Sequence, residues 1–188
     1  MMNNPNVDLR SFIVDVPDFP KPGILFRDIG RLLASPAALR EVRKQFLDRV
    51  ADEKPDYLAA LDARGFTFAG LLSDGLNAGI LMVRKKGKLP GAVLSQDYGL
   101  EYRDSDTLEM QKGIIQPGQR VLVIDDVLAT GGTAKAAVDL VRQAGGEVTS
   151  IAVVIELLAL KGRENINSPD AVAGRGGQII TVHSLLPY

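Results

Sequence analysis

Residues 121–133 restrict the possible fold more than any other part of the chain, because the type of structure that the sequence predicts changes twice within them. Val121 to Ile124 is an apolar run that predicts a buried strand. Asp125 to Gly132 is predicted to form the loop that follows, and a helix is predicted to begin at about Thr133. A buried strand that leads through a short loop into a helix is the unit from which parallel α/β sheets are built.

The same alternation recurs along the chain of 188 residues, a length typical of one compact domain. Strands are predicted at residues 57–61, 80–83, 120–124, 148–155 and 179–182, and helices at 35–50, 66–76 and 133–143. Residues 92–111 are instead polar with two β-like pieces, which predicts a β-hairpin flap. We therefore expect a single α/β domain over residues 1–188, with a mostly parallel, doubly wound sheet and flanking helices.

The composition excludes several kinds of chemistry. There is no cysteine, which rules out disulfides, thiol nucleophiles and cysteine-bound zinc. The single histidine, His183, gives no basis for a site with several imidazoles and is interpreted as structural. The net charge of −1 provides no general attraction to nucleic acid or to an anionic membrane. Since no apolar leader or bilayer-length apolar run is present, we expect a soluble, cytoplasmic protein without a nucleic-acid or membrane partner.

The sequence Thr130-Gly131-Gly132-Thr133 at the start of the predicted helix suits a phosphate group. Helix N-termini present unpaired N–H groups, glycines allow close approach of the backbone, and threonine hydroxyls add donors. Asp125 and Asp126 just before this loop suit a sugar, because ionised carboxylates only accept hydrogen bonds and a cis-diol offers two donors. The alternatives to a sugar-phosphate site are an Asp-Asp metal site and a capping turn in which the glycines serve packing.

This segment resembles the ribose-phosphate signature of the type I phosphoribosyltransferases. The resemblance implies that Asp125 and Asp126 hold the ribose hydroxyls. It also implies that the 5-phosphate is wrapped by Ala129, Thr130, Gly131, Gly132 and Thr133.

Further segments are similar to adenine phosphoribosyltransferases, and the similarity extends from about residue 12 to the C-terminus. The matching segments are residues 19–28 (Phe-Pro-Lys-Pro-Gly-Ile-Leu-Phe-Arg-Asp), 63–66 (Ala-Arg-Gly-Phe), 84–91, 98–102 (Tyr-Gly-Leu-Glu-Tyr), 156–164 and 184–186. The stretch after Asn165, with Gly174-Arg175-Gly176-Gly177, is less typical of this family. The family also implies a small hood, formed by about residues 1–34 and the C-terminal segment.

The resemblance assigns recognition of the base to residues 25–27. Phe26 is suited to stack on a purine, the backbone of Leu25 to read the edge of the base, and Arg27 to contact substrate. A core aromatic is the alternative for Phe26. Arg64 opposes the dipole of the helix that it precedes, so that local stability does not explain it. The family implies that Ala63 and Arg64 contact pyrophosphate and that Arg64 also approaches the base; a surface arginine is the alternative.

The basic run at residues 84–88 has no adjacent acidic run. The family implies that Arg84, Lys85 and Lys88 lie near the pyrophosphate, partly from a neighbouring subunit, and hence that the protein is a homodimer. A solvated loop is the alternative. In the flap, the family implies that Glu101 and Tyr102 reach the reaction centre; a surface hairpin with a solvated glutamate is the alternative.

The activity that the resemblance implies is adenine phosphoribosyltransferase, a purine-salvage reaction of adenine and phosphoribosyl pyrophosphate that gives AMP and pyrophosphate. Mg²⁺ is expected as a cofactor, held by pyrophosphate and ribose oxygens rather than directly by the protein. One alternative is a nucleotide-binding regulator with the same fold, which the lack of a DNA-binding module and of basic excess disfavours. Another is a transferase for a 6-oxopurine, whose typical acid and lysine constellation is missing.

Overall fold

The computed structural model describes residues 7–100 and 103–188, of which residues 100 and 103–105 are described by their backbone alone. The chain divides into two compact units, a first one that ends at Gln45 and a second one, Phe46–Tyr188.

The first unit is built around a short antiparallel hairpin. Strand β1 (Val14–Pro17) pairs with β2 (Leu25–Asp28), so that Val14 lies opposite Asp28. A 3₁₀ turn, Leu9–Phe12, precedes the hairpin, and helix α1 (Gly30–Leu33) follows it. Each strand has only four residues, which explains why no periodicity in the sequence predicted them.

Helix α2 (Pro36–Val50) confirms the predicted helix at residues 35–50. Ser35 precedes Pro36, and its hydroxyl oxygen accepts a hydrogen bond from the N–H of Ala38 at 3.2 Å. This is a typical N-cap, with proline at the first helical position. Val42, Phe46 and Val50 are fully buried on one face.

A seven-stranded sheet forms the centre of the second unit. Its parallel part contains β3 (Tyr57–Leu61), β4 (Gly79–Lys85), β7 (Arg120–Leu128), β8 (Glu147–Glu156) and β9 (Thr181–Pro187). The spatial order of these five is β4-β3-β7-β8-β9, and each neighbouring pair is parallel. The predicted α/β class with a mostly parallel sheet is confirmed.

Helices cover both faces of this sheet, which makes it doubly wound. Helix α3 (Gly65–Leu76) packs against β3 and β7, and α4 (Gly132–Gln143) packs against β7 and β8. Val121 and Val123 belong to the apolar cluster on the α4 side. Successive strand residues point to opposite faces, so Leu122, also fully buried, faces the other side.

The predicted hairpin at residues 92–111 is confirmed as β5 (Val93–Leu100) and β6 (Arg103–Gln111). The two strands are antiparallel, and β6 joins the edge of the sheet by pairing with the end of β4, where Arg84 lies opposite Glu109. The flap is therefore rooted in the same sheet that carries Asp125 and Asp126.

Two predicted boundaries were wrong. Strand β7 does not end at Ile124 but continues to Leu128, because Asp125, Val127 and Leu128 pair with Val153, Ile155 and Glu156 of β8. The two aspartates therefore lie inside a strand rather than in the loop predicted at residues 125–132. The edge strand predicted at residues 179–182 is Thr181–Pro187, since its pairing with β8 runs from Thr181 to Pro187.

Between β8 and β9 the chain forms short helices that the sequence did not predict. These are a 3₁₀ turn at Leu158–Leu160, α5 (Gly162–Ile166) and α6 (Pro169–Gly174). Helices of five or six residues are too short to show a hydrophobic period. None of the described residues belongs to a helix that is both long and apolar enough to cross a membrane.

Candidate active site

The loop between β7 and α4 encloses a cavity of about 70 Å³. The cavity is lined by Asp125, Val127, Leu128, Ala129, Thr130, Gly131, Gly132, Thr133, Ala134 and Val153. Gly131 is the N-cap of α4 and has a φ of 86°, a left-handed conformation that favours glycine. The free N–H groups at the start of α4 are therefore presented to a small pocket at the carboxyl end of β7.

The second glycine of this loop serves close packing. A Cβ on Gly132 would lie 3.0 Å from the main-chain oxygen of Gly99, at the end of the described part of β5. The Tyr98 side chain lies close to those of Thr133 and Asp106. Burial and the charge of Asp106 raise the pKa of Tyr98, so the phenol stays protonated. The sequence did not predict a role for Tyr98, which brings the flap close to the loop at residues 129–133.

Asp125 and Asp126 are neighbours near the carboxyl end of β7. Oδ1 of Asp125 accepts a hydrogen bond from the N–H of Asp126 at 2.8 Å. Oδ2 of Asp126 lies 3.1 Å from Nη1 of Arg64. Burial and the neighbouring charge of Asp126 raise the pKa of Asp125 well above its usual range. The ionised form of Asp125 therefore needs hydrogen-bond donors to stabilise it.

The loop that carries Ala63 and Arg64 connects β3 to α3 beside the same end of β7. Its approach is close, since a Cβ on Gly65 would lie 2.6 Å from the main-chain oxygen of Ile124. The Asp62–Ala63 peptide bond is cis. The structure thus brings together two pairs of predicted site residues, Ala63 with Arg64 and Asp125 with Asp126. More than 60 positions of sequence separate the two pairs.

The basic run at residues 84–88 does have acidic partners, contrary to the expectation from its sequence neighbours. Nε of Arg84 lies 3.0 Å from Oδ2 of Asp62, and Nζ of Lys85 lies 3.1 Å from Oδ2 of Asp106. These partners come from the end of β3 and from the flap, so the sequence around the run could not reveal them. Lys88 is exposed, and its main-chain oxygen accepts a hydrogen bond from Nη1 of Arg84 at 3.1 Å.

Comparison with known proteins decides the family. A sequence model of the phosphoribosyl transferase domain matches residues 28–177. An adenine phosphoribosyltransferase of Rhodospirillum centenum is 50% identical over 166 residues, 88% of this chain and 96% of the relative. A crystal structure of the adenine phosphoribosyltransferase of Rhodothermus marinus superimposes with a TM-score of 0.85 at 42% identity and covers 96% of each chain. The chain belongs to the adenine phosphoribosyltransferase family.

A ligand-bound structure supports the same family membership. The adenine phosphoribosyltransferase of Saccharomyces cerevisiae, crystallised with an imino-altritol bisphosphate and adenine, is 35% identical to this chain. Its TM-score is 0.82, and the match covers 95% of this chain and 96% of the yeast chain.

Within this adenine phosphoribosyltransferase fold, residues 25–27, which were predicted to recognise the base, lie on β2 of the first unit. Phe26 is partly exposed, and its ring packs edge-on against Phe19 with 5.2 Å between the ring centroids. Phe26 is therefore not a fully buried core side chain. Leu25 is 46% exposed, and Arg27 forms an ion pair with Asp15. Glu101 and Tyr102 lie outside the described residues.

His183 lies in a polar cluster with Glu53. Its Nε2 is 2.8 Å from Oε1 of Glu53, whose Oε2 accepts a hydrogen bond from the hydroxyl of Ser150 at 2.7 Å. Burial opposes ionisation of Glu53, but the hydrogen bonds from His183, Ser150 and Thr149 outweigh it, and the pKa of Glu53 is lowered. The structure gives His183 a partner, Glu53, that the sequence did not indicate. This contact agrees with the interpretation of His183 as a structural residue.

The described carboxylates of this site do not form a group of three that could hold a metal ion. No group of three or more histidine and carboxylate side chains within residues 7–100 and 103–188 could hold one. Asp126 is already paired with Arg64, which leaves Asp125 beside it. Because Mg²⁺ prefers six oxygen ligands, most of them would have to come from substrate and water.

Proposed function

We propose that this chain transfers the 5-phosphoribosyl group of phosphoribosyl pyrophosphate to adenine and releases AMP and pyrophosphate. The observation that carries the proposal is the arrangement of two adjacent aspartates and a glycine loop at the carboxyl end of β7, in a chain whose relatives bear this name. In the reaction, a ring nitrogen of adenine bonds to the anomeric carbon. The bond from that carbon to pyrophosphate breaks, pyrophosphate keeps the electron pair, and the nitrogen loses its proton.

Ala129, Thr130, Gly131, Gly132 and Thr133 bind the 5-phosphate in this proposal. Support comes from the start of α4, where N–H groups without intrahelical partners line the small cavity. The helix dipole favours negative charge at the same point. The ribose hydroxyls then donate to Asp125 and Asp126. Those donors would stabilise the ionised form of Asp125, which burial and the charge of Asp126 disfavour by raising its pKa.

Pyrophosphate is assigned to the loop of Ala63 and Arg64. Arg64 remains beside Asp126, so one guanidinium can contact both the carboxylate that holds the ribose and the departing group. Arg84 is bonded to Asp62 at the start of the same loop, and it therefore supports the loop electrostatically. Lys85 and Lys88 extend the positive charge on the adjacent turn. Mg²⁺ bound through pyrophosphate and ribose oxygens would neutralise the leaving group.

In this proposal adenine binds at β2, and the flap closes over the bound substrates. Phe26 stacks on the base, the main chain of Leu25 contacts its edge, and Arg27 assists substrate binding. Glu101 and Tyr102 of the flap approach the reaction centre, where a carboxylate stabilises positive charge on the sugar or moves a proton on the base. Closure also excludes water, which would otherwise hydrolyse the oxocarbenium-like centre.

We further propose a cytoplasmic homodimer in which each chain is a single phosphoribosyltransferase domain over residues 1–188. The hood comprises about residues 1–34 and the C-terminal segment. The partner subunit would bring cations of its basic run towards the pyrophosphate. No nucleic acid or membrane takes part.

The proposed activity is tested by product formation from phosphoribosyl pyrophosphate and Mg²⁺ with adenine, hypoxanthine, guanine or orotate in parallel. We expect AMP from adenine and little product from the other three bases. Product from hypoxanthine or guanine instead would support a 6-oxopurine transferase. Absence of turnover with every base would support the nucleotide-binding regulator.

A further inference from the structure

The short helix α5 lies directly against the loop at residues 129–133. A Cβ on Gly131 would lie 2.6 Å from the main-chain oxygen of Gly162, and a Cβ on Gly162 would overlap the main-chain oxygen of Ala129. The two backbones therefore touch with no side chain between them. Any group that fixes α5 also fixes the wall of the loop.

The position of α5 is fixed by Arg163. Its Nε and Nη2 donate to the two carboxylate oxygens of Glu156 at 3.0 and 2.7 Å, and its Nη1 donates to the main-chain oxygen of Val182 at 2.9 Å. Glu156 is buried, and Oε2 also accepts from the hydroxyl of Ser184 at 2.6 Å. A bidentate pair of this kind restricts both position and orientation. Helix α5 is therefore attached to β8 and β9.

From this fixed helix, Asn165 reaches the glycine loop. Its Nδ2 donates a hydrogen bond to the main-chain oxygen of Thr130 at 2.8 Å. The peptide between Thr130 and Gly131 is planar and trans, so its N–H points away from its C=O. Because Asn165 fixes the direction of the Thr130 oxygen, it also fixes the direction of the Gly131 N–H.

This peptide needs an external hold. Gly131 has no Cβ, and a glycine restricts rotation of the adjoining peptide plane less than any other residue. The N–H of Gly131 is one of the donors at the start of α4 that no intrahelical acceptor satisfies. A rotated peptide would turn a carbonyl oxygen, rather than an N–H, towards an anion in the pocket.

We infer that Asn165 is a positioning residue for the 5-phosphate. It holds the Thr130–Gly131 peptide in the orientation that presents an N–H to the phosphate. The inference rests on the proposed function, because it takes residues 129–133 to be the phosphate-binding loop. Asn165 lies at the border of the stretch that is less typical of the family, and it acts through Thr130 rather than by touching substrate.

The test compares Asn165→Ala and Asn165→Asp with the wild-type protein. Alanine removes the side chain, whereas aspartate keeps its shape but cannot donate. For both variants we expect the KM for phosphoribosyl pyrophosphate and the Kd of ribose 5-phosphate to rise about tenfold, which is about 1.4 kcal/mol. The kcat and the KM for adenine should change little, because the lost contact serves binding in the ground state and the transition state equally.

Glu164→Ala is the matched control. Glu164 neighbours Asn165 on α5, its side chain is 73% exposed, and its ion pair with Lys161 is 3.9 Å long. The control should keep the wild-type affinity for ribose 5-phosphate. All three variants should melt at the temperature of the wild type, since the Asn165 side chain is exposed.

Wild-type affinity for ribose 5-phosphate in either Asn165 variant would overturn the inference. So would a loss that lowers the melting temperature, kcat and both affinities together, since that pattern indicates only a weakened fold. The ribose 5-phosphate titration requires no base and no turnover. If the wild-type protein fails to use adenine but the Asn165 variants still bind ribose 5-phosphate more weakly than the wild type, the proposed function fails and the inference stands. If adenine is used and the variants bind ribose 5-phosphate normally, the inference fails and the function stands.

Discussion

Gly131→Ala is expected to destabilise the chain and to weaken binding of phosphoribosyl pyrophosphate. The substitution introduces two separate problems. An alanine at a φ of 86° is in the left-handed region, and its Cβ would lie 2.6 Å from the main-chain oxygen of Gly162. The contact is with backbone, which cannot move aside by a change of rotamer.

The two problems have different magnitudes. Left-handed conformation of a residue with a Cβ costs about 1–2 kcal/mol. Insertion of a methyl group into a packed contact adds about 1–3 kcal/mol. Gly131→Ala should therefore lower the free energy of unfolding by about 2–5 kcal/mol. The loop must also shift to relieve the contact with Gly162, and in its shifted position it should no longer fit the 5-phosphate.

Gly113→Ala provides the matched control for this prediction. Gly113 has a φ of 80°, but a Cβ built on it meets nothing within 4 Å, so its alanine variant has the conformational cost alone. In thermal unfolding followed by circular dichroism, Gly131→Ala should melt about 2–12 °C below Gly113→Ala. Only Gly131→Ala should raise the KM for phosphoribosyl pyrophosphate. Equal melting temperatures and equal KM values for the two variants would refute the steric argument.

Phe26→Ala should raise the KM for adenine about 5- to 150-fold and leave that for phosphoribosyl pyrophosphate unchanged, because a stacked base contributes about 1–3 kcal/mol; equal KM values for adenine in steady-state kinetics would count against stacking. Glu101→Gln should lower kcat about 100-fold or more with little change in either KM, whereas wild-type turnover would leave the flap as a cover only. The hydrogen bonds from Arg163 lower the pKa of Glu156 despite burial, so its ionised form stabilises the fold above the unfolded pKa and this stability is lost as pH falls through the folded pKa. In urea unfolding, the wild type should therefore exceed Glu156→Gln in stability near neutral pH, with a difference that shrinks in acid below the unfolded pKa; a difference independent of pH would contradict this.

The central part of the site could be predicted because its signals are local. A buried strand, two carboxylates and a glycine loop that opens a helix occur within residues 121–133, and the structure keeps that order. The boundary was wrong because aspartate is uncommon in strands, so Asp125 and Asp126 suggested a loop. Pairing with β8 overrides that preference, and it is visible only when the neighbouring strand is in place.

Contacts between distant segments could not be predicted. Arg64 meets Asp126, and Arg84 meets Asp62, only because parallel strands bring their carboxyl ends to one edge of the sheet. Asn165 is 35 positions from Thr130 and lies on a helix of five residues, which leaves no periodic signal in the sequence. The resemblance to a family supplied the expected roles of such residues, but neither Asn165 nor Tyr98 was among them.

The central claim is that residues 125–133 hold the phosphoribosyl group, and calorimetric titration with phosphoribosyl pyrophosphate and Mg²⁺ tests it most directly. Hydrogen bonds to a charged carboxylate contribute about 1.5–3 kcal/mol each. Asp125→Asn and Asp126→Asn should therefore each bind at least about tenfold more weakly than the wild type, while circular dichroism shows the same folded structure. Unchanged affinity in both variants would mean that the two aspartates do not hold the ribose, and it would contradict the account.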